Sequence, residues 1–395
     1  MERNMSTAQE LEATLMDPRF LRGTSLLKKK RFEEAIVVFE DLLRLFCEAE
    51  GKSESLAVAP IYYEYGNALL SLNETTSSIF GHVIEGSVPN RNENSEKDTQ
   101  ESLDDLEAAW EVMELARVIY SRYPGDQVVE MQLARVYTRL GDLSLESDQY
   151  EQAKADFEKA LLLRRKLLNV TNAEDTTQLA DLYCQLAIAC IYRDSTQEKE
   201  KKGDSNEELT YYVMAGRVMA ENIHRVAKKC VDKVQVFVAN CVPQYSFEGD
   251  SVAELHSKGK RKGCTSSTRD PTLTLQFNGE RPEALREEFL ACVDVTEEQK
   301  DALKADEKTL LEYLEIYLEL KEKVDGIIET SVGAVPKKDK GMDEAVTTLG
   351  LRQTDASIAA AASVVNVVPV KKRKTEACVA KSKEMMEAFA PASSK

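Results

Sequence analysis

Three histidines are the first places to look for proton transfer or metal binding in this 395-residue chain: His82, His224 and His256. None is spaced with cysteines or acids as a ligand set or a catalytic pair requires. The eight cysteines (47, 184, 190, 230, 241, 264, 292 and 378) contain no C-x-x-C pair and fall mostly in helical patterns. They read as reduced thiols packed as small apolar groups. There is no Gly-rich phosphate loop and no G-x-S-x-G nucleophile turn. The acids of "NGERPEALREEF" read as the solvated face of a helix. The expectation is a protein without enzymatic activity, metal or cofactor.

Charge is the chemistry that remains. The formal net charge is −17, yet the tail from Gly333 holds 11 basic and 7 acidic residues, leaving −21 on the rest. An acidic body repels bare nucleic acid and attracts basic partners. No apolar run is long enough to span a membrane, and "MERNMSTAQELEATL" lacks the basic start and apolar core of a signal peptide. No membrane association and no direct nucleic-acid binding are expected.

The elements that carry these charges repeat. In "YTRLGDLSLESDQYEQAKADFEKALLL", Tyr137, Leu140, Gly141, Ala153, Phe157 and Ala160 stand at the offsets of a tetratricopeptide repeat (TPR). Gly141 and Ala153 let two antiparallel helices approach, and the large residues fill the seam. The same offsets recur with Gly23, Leu26, Ala35, Phe39 and Leu42, and in "LADLYCQLAIACIY" with Tyr183, Leu186 and Ala187. The partner of this last helix is "ELTYYVMAGRVMAENIHRVAKK", whose register is ambiguous. "YYEYGNALLSL" opens another repeat with Tyr62, Gly66 and Leu69, but its second helix, carrying Ala109, Met113 and Ala116, starts 31 residues late. The second repeat is therefore split by an insertion over residues 73–105 with eight acids and two bases, including Glu93, Glu96, Asp98, Glu101, Asp104 and Asp105. A mobile acidic arm is expected there, since loop closure costs grow only logarithmically with length.

The fold class that follows is all-α: a TPR solenoid of about four helix pairs with an interrupted second repeat, a C-terminal capping helix and a disordered tail. The expected boundaries are a flexible N-terminus (1–14), the TPR domain (15–240), a flexible excursion (241–295), the capping helix (296–330) and the tail (331–395). "TLTLQF" is the one candidate for a short strand. Thr296 and Gln299 form a capping box for the last helix. Its a/d-like residues Leu303, Leu310, Tyr313, Tyr317, Leu320, Val324 and Ile327 either close the solenoid or pair with a second copy of the chain in a homodimer. In the tail, Lys371, Lys372, Arg373 and Lys374 form a basic run suited to nuclear import.

A TPR stack presents its first helices along one groove. Counted from each repeat glycine, the inward positions are Asp17, Phe20, Thr24, Leu27 and Lys28; then Pro60, Tyr63, Asn67, Leu70 and Ser71; then Arg135, Thr138, Asp142, Leu145 and Glu146; then Asp181, Cys184, Ile188, Ile191 and Tyr192. Acids interleaved with aromatics suit a basic, partly apolar peptide. Tyr63, Asn67, Asp142, Glu146, Asp181, Cys184 and Tyr192 are the candidate contacts. A co-chaperone gripping an acidic peptide would need groove lysines, which this set lacks. A generic TPR scaffold for another basic partner remains the alternative.

The order of these pieces resembles one family. "YEYGNALLSL", "IFGHVIEG", "AAWEVMELARVIY", "RLGDLSLESDQYEQAKADFEKAL" and "LEIYLELKEKVDGIIET" are similar in sequence order to the interrupted-TPR histone chaperones of the NASP (nuclear autoantigenic sperm protein) family. The resemblance implies an all-helical chaperone of histone H3 or the H3–H4 pair, with linker histone H1 a further client, acting in chromatin and nucleosome assembly. It implies that the groove grips a segment of H3 and the insertion contacts the histone fold. It also implies a nuclear protein with a cytoplasmic pool. The acids of the insertion are diluted with Asn, Ser and Thr, and residues 240–295 have no counterpart in that pattern.

Overall fold

A computed structural model describes residues 7–49, 53–84, 93–171, 176–196, 207–245, 273–279, 282–296 and 303–332. The basic run at 371–374 and Gln299 of the expected capping box lie outside these residues. Four helix pairs follow one another: α2 (Pro18–Lys28) with α3 (Phe32–Arg44), α4 (Ala59–Ile84) with α5 (Glu93–Ser121), α6 (Gln127–Glu146) with α7 (Tyr150–Thr171), and α8 (Thr177–Thr196) with α9 (Glu207–Ala227). A preceding helix, α1 (Thr7–Leu15), packs on α2 and α4.

Small residues set the pairing distance. A Cβ added at Gly23, Gly66 or Gly141 would sit 2.6, 2.8 and 2.5 Å from atoms of Phe39, Met113 and Phe157, respectively, so only glycine lets these helices close. Phe39, Met113 and Phe157 are fully buried, each contributing about 2–3 kcal/mol of apolar burial. In the fourth pair Ala187 takes the glycine position, and the Tyr183 ring stacks on Tyr211 with centroids 6.4 Å apart. The register of α9 is thereby settled.

Helix starts follow local chemistry. Asp17 caps α2 by accepting the Arg19 amide at 2.8 Å, and Pro18 occupies the first turn, where no amide bond is lost. Asp126 caps α6 by accepting the Val128 and Val129 amides. The turn before it uses Gly125 at φ 91°, and Gly125 donates its amide to the buried Glu130 carboxylate. Glu130 also receives Lys166 Nζ at 2.6 Å, which locks the start of α6 to α7.

Several expected boundaries move. Residues 7–15 are helical rather than a loose terminus, because Leu11 and Thr14 are buried against the first repeats. In the split repeat α4 runs to Ile84 and α5 begins at Glu93, so both helices are prolonged into the insertion. Acids in the first turns of α5 suit the positive end of its dipole. The excursion after residue 240 is largely packed where it is described. Helix α10 (Asp232–Cys241) lies on α9, and α11 (Leu285–Cys292) on α10. Between them residues 273–279 cross α9 as an extended strap. The described part of "TLTLQF", residues 273–277, is thus extended but pairs with no strand among the described residues. Leu275 fills a slot that Gly216 leaves open, the Asn278 amide donates to the Cys241 carbonyl at 2.9 Å, and the Tyr317 hydroxyl donates to the Gln276 carbonyl at 2.7 Å.

The last helix, α12 (Ala305–Val332), starts nine residues later than the Thr296 signal suggests. Its cap is the buried Glu307 carboxylate, which accepts the Lys304 amide at 3.0 Å. Leu310, Leu314, Tyr317, Leu320 and Val324 bury their side chains in the cluster shared with α9. The apolar face open to self-pairing is therefore spent within the chain.

Candidate functional site

The face lined by the first helices is built from charge pairs between neighbouring repeats. Arg135 on α6 donates to Glu64 on α4 at 2.9 Å and lies 4.5 Å over the Tyr63 ring. One turn on, Arg139 donates to Glu74 and to Asp142, each at 2.9 Å, and to Ser71 Oγ at 3.2 Å. Burial works against the charge of Arg139, but Asp142 and Glu74 hold it firmly protonated. Burial pushes the Asp142 carboxyl up, and Arg139 only partly pulls it back.

Glu146, one turn beyond Asp142, is exposed. Burial of its surroundings and then the neighbouring Glu74 and Asp142 carboxylates raise its pKa. Asp148 adds a further negative charge; it sits in the left-handed region at φ 57° and accepts the Tyr150 hydroxyl at 2.6 Å. Tyr150 stacks on Tyr192 of α8 with centroids 5.4 Å apart and planes 15° from parallel. Glu74 and Asp142 thus hold Arg139, and Glu146 and Asp148 continue the acidic line toward a half-open pair of tyrosines. Such an arrangement favours a cation with an apolar stem, through charge and through the tyrosine faces.

The sequence-derived positions fall in different environments. Glu146, Asp181, Ile191 and Tyr192 reach the surface. Asn67 is half-buried and donates to Glu64 at 3.2 Å, and Asp142 is tied to Arg139. Phe20, Pro60, Tyr63 and Leu70 are buried, Phe20 edge-on against Phe39 of α3, so they are core and not groove. Cys184 is half-buried; its thiol is pushed up to about 12, chiefly by burial, and stays protonated. Asp17 is engaged in its own helix cap. Of the insertion acids, Asp104 is exposed and Asp105 half-buried on α5; Glu93, Glu96, Asp98 and Glu101 lie on its first turns, placed by the backbone alone.

Glu64, Glu74 and Arg139 were missing from that pattern. Glu64 and Arg139 each stand two residues before a repeat glycine, an offset the groove rule omitted. Their recurrence at one offset was a readable signal.

Among the described residues no group of histidines, cysteines and acids could hold a metal ion, and no helix is long and apolar enough to cross a membrane. The six described cysteines are free thiols.

Comparison with known proteins points to one group. The SHNi-TPR family model matches residues 134–171, the span of most of α6 and all of α7. The chain is 34% identical over 135 residues to NASP-related protein sim3 of Schizosaccharomyces pombe, covering 33% of each chain. It is 30% identical over 107 residues to the human nuclear autoantigenic sperm protein, covering 27% of this chain and 13% of that one. Against histone-binding protein N1/N2 of Xenopus laevis it is 28% identical over 98 residues, 25% of this chain and 16% of the other. The matched stretches span a third or less of the length of these relatives.

Proposed function

We propose, from its similarity to the SHNi-TPR family and to NASP-type proteins, that the chain is a member of the NASP family and a histone chaperone. It holds histone H3, alone or paired with H4, on the first-helix face and beside the prolonged acidic helices of the second repeat, and supplies it for nucleosome assembly. The observation that carries this reading is the acidic line that runs from Glu74 and Asp142, paired with Arg139, through exposed Glu146 to Asp148, with the Tyr150–Tyr192 stack at its edge. Burial first, and then the neighbouring Glu74 and Asp142 carboxylates, raise the Glu146 pKa, so a docking lysine or arginine side chain would relieve it. Exposed acid pairs contribute little singly, so the grip must come from many contacts and from anchored apolar stems. That suits a client that must later be surrendered to DNA. Linker histone is a further basic client of the same chemistry, and Lys371, Lys372, Arg373 and Lys374 would carry a cytoplasmic pool into the nucleus.

The co-chaperone alternative needs cations available to an acidic peptide. Arg135 is engaged by Glu64, and Arg139 by Glu74 and Asp142. Gel filtration of the purified chain with recombinant H3–H4 at 0.3 M salt tests the proposal. We expect one co-eluting peak containing both. Separate elution at micromolar concentrations would refute a histone chaperone acting through this fold.

A further inference from the structure

On the second-helix side of the solenoid a cavity of about 690 Å3 opens between α7 and α9, where α8 begins and residues 242–245 cross. In a chain of net charge −17, its described wall is rich in cations: Arg165 from α7 and Arg225 and Lys228 from α9 face it, with Glu221 the one carboxylate among the described lining residues. Glu221 pairs with Arg225 at 3.0 Å, and the ammonium of Lys228 has no ion pair among the described residues. His224 is fixed at the rim, its Nε2 bonded to the Val242 carbonyl oxygen at 2.8 Å.

A second observation lies just behind the wall. Asn222 is 2% exposed, and its Oδ1 accepts from Thr176 Oγ1 at 2.8 Å and from Arg225 Nη1 at 2.7 Å. Arginine can only donate, so the amide orientation is determined: the oxygen must face Arg225. Its Nδ2 is then left buried without an acceptor. A buried donor without a partner is costly, and both groups that hold the Asn222 oxygen, Thr176 and Arg225, line the cavity. The apolar part of the lining is formed by Leu168, Leu179, Val218 and the Tyr245 ring, which Arg217 overlies at 5.5 Å.

We propose that this cavity binds an organic phosphate monoester, its phosphoryl oxygens held by Arg165, Arg225 and Lys228 and its apolar or ring portion lying on Val218 and Tyr245. A carboxylate offers two oxygens and would leave part of this donor set unused; a phosphoryl group offers three, and arginine forks match them. The volume exceeds what a bare phosphate fills and is in the range of small-molecule sites. The monoester could be a free metabolite or a phosphorylated side chain of a partner protein.

Calorimetric titration of the full chain tests this with phenyl phosphate, inorganic phosphate, benzoate and a short peptide containing phosphotyrosine. Phenyl phosphate should bind at least about tenfold more tightly than inorganic phosphate or benzoate. Lys228→Glu and Arg165→Gln should each weaken it about tenfold or more, with unchanged melting temperature. Tighter binding of the peptide than of phenyl phosphate assigns the site to a protein partner, and the reverse order to a metabolite. Absence of binding, equal binding of inorganic phosphate, or binding that survives both substitutions overturns the proposal.

Discussion

Glu207, in the first turn of α9, receives Lys154 from α7 at 2.8 Å and Arg193 from α8 at 3.0 Å. Burial alone would raise its pKa; the two cations overcome this and hold it at about 2, below the ordinary 4.5. A depressed carboxylate contributes stability that is present above the unfolded pKa and is lost as pH falls through the folded one. Glu207→Gln should therefore lower stability by about 2 kcal/mol at pH 7. Denaturant melts at pH 7, 4 and 2.5 should show the difference from the parent shrinking toward zero between pH 4.5 and 2. A difference that persists unchanged at low pH would place the effect in packing and not in charge. Glu146 illustrates the opposite arrangement: a carboxylate whose pKa is raised by burial and by neighbouring acids is strained in the free protein and relieved by a cation. Residues of the first kind hold the helices together, and residues of the second kind await a partner.

At the scale of elements, the split repeat is the informative feature. Gly66 still meets Met113 and Ala109 across α4 and α5, so the pair closes normally at its base while both helices continue beyond it. Deleting residues 77–103 and joining the ends with a short Gly/Ser turn retains Glu74 and the whole packed seam. The variant should keep its helical circular dichroism and melt within a few degrees of the parent. Its H3–H4 affinity should fall and the dependence of that affinity on salt should flatten, since the deletion removes charge. Unfolding would show that the prolonged segments are part of the core. The repeats themselves were legible because Gly23–Phe39, Gly66–Met113 and Gly141–Phe157 encode helix pairs through one small-to-large complementarity. The strap at 273–279 and helices α10 and α11 were not, because they belong to no repeat: Leu275 earns its burial from Gly216, some 60 residues earlier, and no local period announces such a contact. In the site, exposed Glu146 and Tyr192 lay where the repeat offsets put them. Asp142 and Tyr63 also occupied inward positions, but their neutralisation and burial depend on Arg139 and Arg135 from the same face, which an inventory of acids does not reveal.

At the scale of the whole molecule, charge is segregated. The carboxylates of the first-helix face and of α5 belong to a body of net −21, whereas the final 63 residues are net positive. A body of this kind draws basic clients at long range and keeps nucleic acid away, and local anchors then determine where the client sits. The first-helix anchor is tested most directly by titrating labelled H3–H4 into the parent and into the double variant Glu146→Lys, Asp181→Lys, at two salt concentrations. Both positions are exposed, so the variant should retain the parent's helicity and melting temperature. Like-charge contacts with a basic client should weaken binding about tenfold or more, roughly 1.4 kcal/mol or greater, with the larger loss at lower salt. Affinity equal to the parent's at both salt concentrations, in a variant that melts normally, would contradict recognition on this face.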